Sequence, residues 1–204
     1  METITRAVEC GVAHFVLPGQ RESGDHHVIC RGRENVLIAA IDGVGHGKEA
    51  ALAARSAAAI LRSGVNESPL TVVQRCHEQL QKTRGVVLSL ASIEPSRGIL
   101  TWLGIGNVQG VLMRAGARAG TVQEVLLLRA GVVGLQLPVL QAVVLPIRRG
   151  DTLVFATDGV NQEFIRSLSA LESPQRMAER ILDQHHSGHD DGMVLVARYM
   201  GAAG

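Results

Sequence analysis

The longest unbroken apolar run in the chain is the six-residue stretch VLIAAI, residues 36–41, and it stops at Asp42-Gly43. A helix that crosses a bilayer needs about 20 apolar residues, so no segment reads as a membrane span. Short apolar runs closed by a carboxylate and a glycine are what buried strands ending in tight turns look like. Residues 125–147 are also rich in aliphatic side chains, but Arg129, Gln136, Pro138 and Gln141 interrupt them. This region reads as short buried strands.

Between such runs the pattern turns helical. KEAALAARSAAAILRS, residues 48–63, is a strong helix former whose alanine face lets a helix lie close to a sheet. Ser68-Pro69 and Ser173-Pro174 each put a capping serine before a proline suited to the first helical position. The helix at Ser68-Pro69 is expected to run to about Arg84-Gly85. From there the pattern changes to period two or to short buried runs, at residues 86–93, 99–105, 108–114 and 122–129, punctuated by Pro95, Gly98, Gly106, Gly116 and Gly120. These runs read as an antiparallel meander. Further strands are expected at 152–157 and 193–200, with a short run at 27–30. Helices grouped between strand runs give an α+β class, mostly antiparallel sheet covered by helices in layers. With 204 residues, 46% of them apolar, a single domain spanning 1–204 can bury about 70% of its unfolded surface.

Composition excludes several partners. Twenty basic residues against 19 acidic ones leave a formal charge of +1, so there is neither a nucleic-acid footprint nor a polybasic membrane patch. Three Phe, one Trp and one Tyr are too few for a stacking platform. The opening Met1-Glu-Thr-Ile-Thr-Arg lacks the basic cap, hydrophobic stretch and small-residue cleavage site of a secretory signal, so a cytoplasmic location is expected. Cys10, Cys30 and Cys76 are odd in number and widely spaced, which fits packed, reduced thiols.

The chemistry lies in a repeated pattern. Asp42-Gly43 and Asp158-Gly159 each follow a hydrophobic strand, Asp190-Asp191-Gly192 precedes the last strand, and Ser23-Gly24-Asp25 precedes the short run at 27–30. One Asp-Gly after a strand is an ordinary turn. Its recurrence with two more acidic sites changes the reading. If neighbouring strands bring these ends to one edge, three or four carboxylates meet, and such a cluster repels itself unless hard divalent cations such as Mg²⁺ or Mn²⁺ neutralise it. Glycine after the aspartate allows a tight turn and lets the Gly43 carbonyl approach an ion.

The segments Asp42-Gly43-Val44-Gly45-His46-Gly47, Thr157-Asp158-Gly159 and Asp190-Asp191-Gly192 resemble, in order, the acidic motifs of the PPM (PP2C-like) metal-dependent Ser/Thr protein phosphatases, and within them the SpoIIE-like bacterial branch. The resemblance runs from about Ser23 to Ala197. In length the chain is similar to small phosphatases that act on stressosome scaffold proteins. It implies an α-β-β-α sandwich and two divalent cations, Mn²⁺ or Mg²⁺. By this resemblance Asp42 bridges the two ions, the Gly43 carbonyl holds one, and Asp158 with Asp190 holds the other. Asp25 then orients the attacking water. The chain departs from the family at Gly192-Met193, where a small residue followed by threonine is usual, and Asp191 is an alternative to Asp190 as the last ligand. The phosphate-binding arginine of eukaryotic relatives has no strong counterpart; Arg21 is the candidate in the neighbourhood. His46 or Lys48 could assist a phosphate or protonate the leaving oxygen. The implied partner is a phosphoserine or phosphothreonine regulatory protein, met by a monomer. An anti-sigma-factor antagonist is an alternative substrate, and a catalytically weak binding module an alternative role.

Other motifs fail on context. Gly104-Ile105-Gly106-Asn107-Val108-Gln109-Gly110 has its third glycine one residue late for a dinucleotide loop and leads into a strand, where a helix is required. No cysteine is followed six positions on by arginine, which removes a cysteine-phosphatase loop. His185, His186 and His189 read as a solvated loop beside the acidic site.

Overall fold

Alternation along the strands sorts the apolar side chains into separate layers. Residues 7–116 and 123–202 are described by a computed structural model of the chain; the calls on residues 1–6 and at Gly120 and Val122 lie outside them. The elements in order are β1 (Val8–Phe15), β2 (Asp25–Arg31), β3 (Val36–Gly43), α1 (Lys48–Ser63), α2 (Pro69–Leu80), β4 (Val86–Glu94), β5 (Ile99–Ile105), β6 (Gln109–Met113), β7 (Gln123–Val125), β8 (Leu128–Arg129), β9 (Val143–Pro146), β10 (Thr152–Ala156), α3 (Pro174–His185) and β11 (Gly192–Tyr199). Among the described residues one sheet runs β1-β11-β10-β6-β7, and the other runs β2-β3-β4-β5-β8 with β9 also on β5. Pairing is antiparallel except between β5 and β8.

Strand β3 shows how the layers form. Its Val36, Ile38 and Ala40 enter the core between the two sheets, where they meet Leu153, Phe155 and Leu195. Leu37, Ala39 and Ile41 face the other way, toward α1 and α2. A third core, around Phe164, Met177 and Ile181, lies between α3 and the outer face of the β1–β11–β10 sheet. The result is the expected α-β-β-α sandwich. Alanine sets its spacing on one side, because Ala50, Ala53, Ala54, Ala57 and Ala58 of α1 are buried and let the helix axis approach the sheet.

Three expectations change. The region 86–129 is no continuous meander: β5 turns at Gly106, whose φ is 88°, and β6 crosses to the other sheet to pair with β10. Residues 125–147 are mostly irregular, with Leu127, Leu135, Val139 and Val144 exposed, because Gly131 and Gly134 adopt positive φ and the prolines interrupt pairing. Helix α2 ends at Leu80, since Thr83 turns back to bond the Leu80 carbonyl. Strand β1 carries no distinct sequence signal and is defined by its pairing with β11. Cys76 is buried, and Cys10 and Cys30 are half-buried free thiols. Burial pushes the Cys10 thiol up to about 11 and that of Cys76 to about 12, which keeps both unreactive. No helix among the described residues is long and apolar enough to cross a membrane.

Helix α3 is stapled to β1 at its first turn. Gln175 Oε1 accepts from Val12 N–H at 3.0 Å, and Gln175 Nε2 donates to the Val12 carbonyl at 3.0 Å. Gly11 makes this approach possible, since a Cβ there would collide with the backbone of Pro174 and Gln175. Replacing Gly11 with valine is therefore expected to destabilise the chain by about 1–3 kcal/mol through overpacking, read by urea denaturation. A neutral effect would show that α3 docks loosely.

Candidate metal centre

All four acidic segments arrive at one end of the sandwich, in the gap between the sheets. Asp25, at the start of β2, lies directly opposite Asp42, near the end of β3. Asp42 follows Ile38 and Ala40 in the strand's period of two, so it points between the sheets. From the facing sheet, Asp158 leaves the end of β10, and Asp190 and Asp191 lead into β11. The two sheets are tied at this point by Thr157, whose hydroxyl donates to Asp25 Oδ2 at 2.7 Å and accepts from Met193 N–H at 2.8 Å.

The carboxylates differ in what they already bind. Asp191 is buried at 5% exposure, and both its oxygens are taken: Oδ1 by Leu17 N–H at 2.8 Å and Oδ2 by Gly24 N–H at 2.7 Å. It latches the segment before β2 to the start of β11. Asp190, by contrast, is exposed on the turn, with Oδ1 accepting from the next peptide N–H at 2.8 Å. Asp158 is exposed and accepts from Asn107 Nδ2 at 2.7 Å. Asp42 is half-buried and Asp25 is 5% exposed.

Their mutual influence shows in the acidities. Burial, followed by the charges of Asp25, Asp158, Asp190 and Asp191, pushes the Asp42 carboxyl up to about 9. Burial likewise raises Asp25 to about 7; its bond from Thr157 pulls the other way, while Asp191, Asp158 and Asp190 add to the rise. Asp158 is raised by burial and by Asp190. The crowding thus favours the protonated forms of Asp25, Asp42 and Asp158.

An all-oxygen donor set of this charge fits hard divalent cations. Among the described residues no three His, Cys, Asp or Glu side chains surround a common point. The set therefore suits ions that accept one or two carboxylates and keep several waters, as Mg²⁺ does. The glycines of the two Asp-Gly pairs are required by close packing. A Cβ on Gly43 would strike the Ala50 carbonyl of α1, and one on Gly159 would strike the carbonyl of Asp191.

Around the centre, His46 is exposed on the loop that carries Gly45 and Gly47 at φ 87° and 80°, and Lys48 is exposed at the first position of α1. Arg21 is exposed, and the guanidinium against that loop belongs to Arg84 instead. Its Nη1 lies 2.8 Å from where a Gly45 Cβ would be, and its Nε meets Glu49 Oε2 at 2.5 Å. His186 is half-buried, not solvated: its ring packs on Phe15 at 3.9 Å between centroids, and its Nε2 lies 3.0 Å from the Asp190 carbonyl. His189 is exposed as expected.

Sequence reasoning missed Thr157, Asn107 and the latch role of Asp191. Thr157 had a usable signal, a hydroxyl beside a candidate ligand. Asn107 lies inside the glycine motif that fails as a dinucleotide loop; that motif spans the β5–β6 turn, which carries Asn107 to Asp158.

Fold and site together define a PP2C-type protein phosphatase architecture. Residues 32–200 match the family of stage II sporulation protein E (SpoIIE), and the chain belongs to that family. Its relatives among PP2C/PPM Ser/Thr phosphatases are hydrolases that depend on divalent metal. A structure described in work on the bacterial stressosome, a modular system adapted to control secondary messenger signalling, superposes with TM-score 0.84 at 25% identity, over 94% of this chain and 99% of that one. RsbX in complex with magnesium is similar at TM-score 0.81 and 17% identity, over 95% and 96% of the two chains. The PP2C domain of SpoIIE from Bacillus subtilis, with a fragment of its regulatory domain, gives 0.75 and 22%, over 95% of this chain and 63% of that one. No curated protein sequence matches the chain significantly.

Because the Asp42 carboxyl is raised in the folded state, the metal-free chain loses stability as pH climbs from the ordinary carboxylate range through about 9. The metal-free Asp42→Asn variant should therefore melt above the metal-free parent, by a margin of several degrees that widens from acid to alkaline pH. Adding Mn²⁺ should raise the parent's Tm more than the variant's. A pH-independent difference would contradict the crowding of these carboxylates.

Proposed function

We propose that the chain is a metal-dependent Ser/Thr phosphoprotein phosphatase whose substrate is a phosphorylated regulatory protein of a bacterial stress-signalling system, such as a stressosome scaffold protein. The observation that carries the reading is the convergence of Asp25, Asp42, Asp158 and Asp190 between the sheet ends. Asp42, Asp158, Asp190 and the Gly43 carbonyl are the groups that would hold two divalent cations, Mn²⁺ or Mg²⁺. Such ions supply Lewis acidity toward phosphoryl oxygens and lower the pKa of water, which removes the need for a protein nucleophile.

The chain's own groups set the rest. Asp25 is fixed through Oδ2 by Thr157, which leaves Oδ1 to orient the attacking water or hold its proton. Asn107 fixes the rotamer of Asp158, and Asp191 holds the Gly24 segment so that Asp25 faces Asp42. His46 and Lys48 face solvent at the loop, where a leaving serine oxygen could take a proton. The similarity to the stressosome-associated structure and to RsbX supports the choice of substrate class.

Phosphate release from a phosphoserine peptide is expected with Mn²⁺ and to cease with chelator. Losing the shared ligand should cost several kcal/mol of transition-state stabilisation, so Asp42→Ala is predicted to lower kcat/KM about a thousandfold. Turnover that persists in chelator, or survives Asp42→Ala, overturns the mechanism. Parallel incubation with phosphorylated scaffold proteins and phosphorylated anti-sigma-factor antagonists decides the substrate: faster release from the antagonists would reassign it.

A further inference from the structure

Two histidine rings meet outside the acidic centre. β1 and β2 are the edge strands of the two sheets on the same flank of the sandwich, and each carries a histidine toward the other. His14 Nε2 and His27 Nδ1 stand 3.2 Å apart, with ring centroids at 5.2 Å and planes tilted by 41°. Both are held from their far sides, His14 opposite Met193 in the β1–β11 ladder and His27 opposite Ala40 in the β2–β3 ladder. The His27 carbonyl is also bonded by Arg62 Nη2 at 3.2 Å.

We propose that His14 and His27 jointly bind a borderline divalent ion such as Zn²⁺ or Ni²⁺. Two imidazole nitrogens on one tetrahedral Zn²⁺, at about 2.0–2.1 Å each, are separated by about 3.3 Å, close to the observed spacing; on binding, the ring that donates in the contact carries its proton on its other nitrogen instead. The ligands are available at neutral pH. Burial, with His14, His26 and Arg62 adding, brings His27 down to about 4. His14 is exposed, so an ion has access, and water completes the coordination shell. His26, with its ring centroid 6.1 Å from that of His27, lies alongside the pair. Nitrogen ligands suit borderline ions and the carboxylates suit hard ones, so the choice of ion separates the two sites.

The test titrates Zn²⁺ by calorimetry into protein whose acidic centre is first filled with excess Mg²⁺. One Zn²⁺ per chain is expected. His14→Gln and His27→Gln should each weaken binding about tenfold or more, while Asp42→Asn retains it. On the unmutated protein, Ni²⁺ should broaden the imidazole NMR signals of His14 and His27 before those of the other histidines, which keeps the test independent of how the variants fold. The proposal falls if Zn²⁺ is not taken up beside Mg²⁺, or if uptake is lost in Asp42→Asn but kept in both histidine variants. It also falls if Ni²⁺ leaves the His14 and His27 signals sharp, the 3.2 Å contact then being only a hydrogen bond between rings.

Discussion

Electrostatic repulsion among carboxylates is the constraint around which this molecule is organised. Asp25 and Asp42 face each other across one antiparallel ladder, an arrangement that opposes folding when both are charged. Three more acidic side chains reach the same gap from the facing sheet. Only protons or cations reconcile such a cluster with a folded chain, and the weakened acidities of Asp25, Asp42 and Asp158 express that need. The family to which the chain belongs meets it with divalent metal.

The fold supplies the rigidity that the cluster lacks. Two sheets packed through an apolar core place strand ends at fixed separation, and the Thr157 hydroxyl joins them at the rim. Close approach of backbones does the rest: α1 lies against Gly43, and the segment before β11 lies against Gly159. Asp191 commits both its oxygens to backbone N–H groups, which makes it a structural tie in the midst of ligand candidates.

Much of this was legible in the residues because it depends on local chemistry. The Asp-Gly pairs marked strand ends, Ser-Pro marked the starts of α2 and α3, and the alanine face of 48–63 foretold a helix pressed on a sheet. What stayed hidden depends on contacts distant along the chain. β6 leaves its sequence neighbour for β10, β1 reveals itself only through its pairing with β11, and the exposed aliphatic residues of 125–147 look like core until glycine and proline are seen to deny them partners. The choice between Asp190 and Asp191 is likewise spatial. Adjacent identical side chains acquire different surroundings only once Leu17 and Gly24 are folded against one of them.

The most direct test is a crystal grown with Mn²⁺ and measured for anomalous scattering at the manganese edge. Two peaks are expected in the gap between the sheets, both touching Asp42, one also beside the Gly43 carbonyl and the other beside Asp158 and Asp190. Carboxylates that remain gathered with no peak between them, or peaks confined to other parts of the surface, would contradict it.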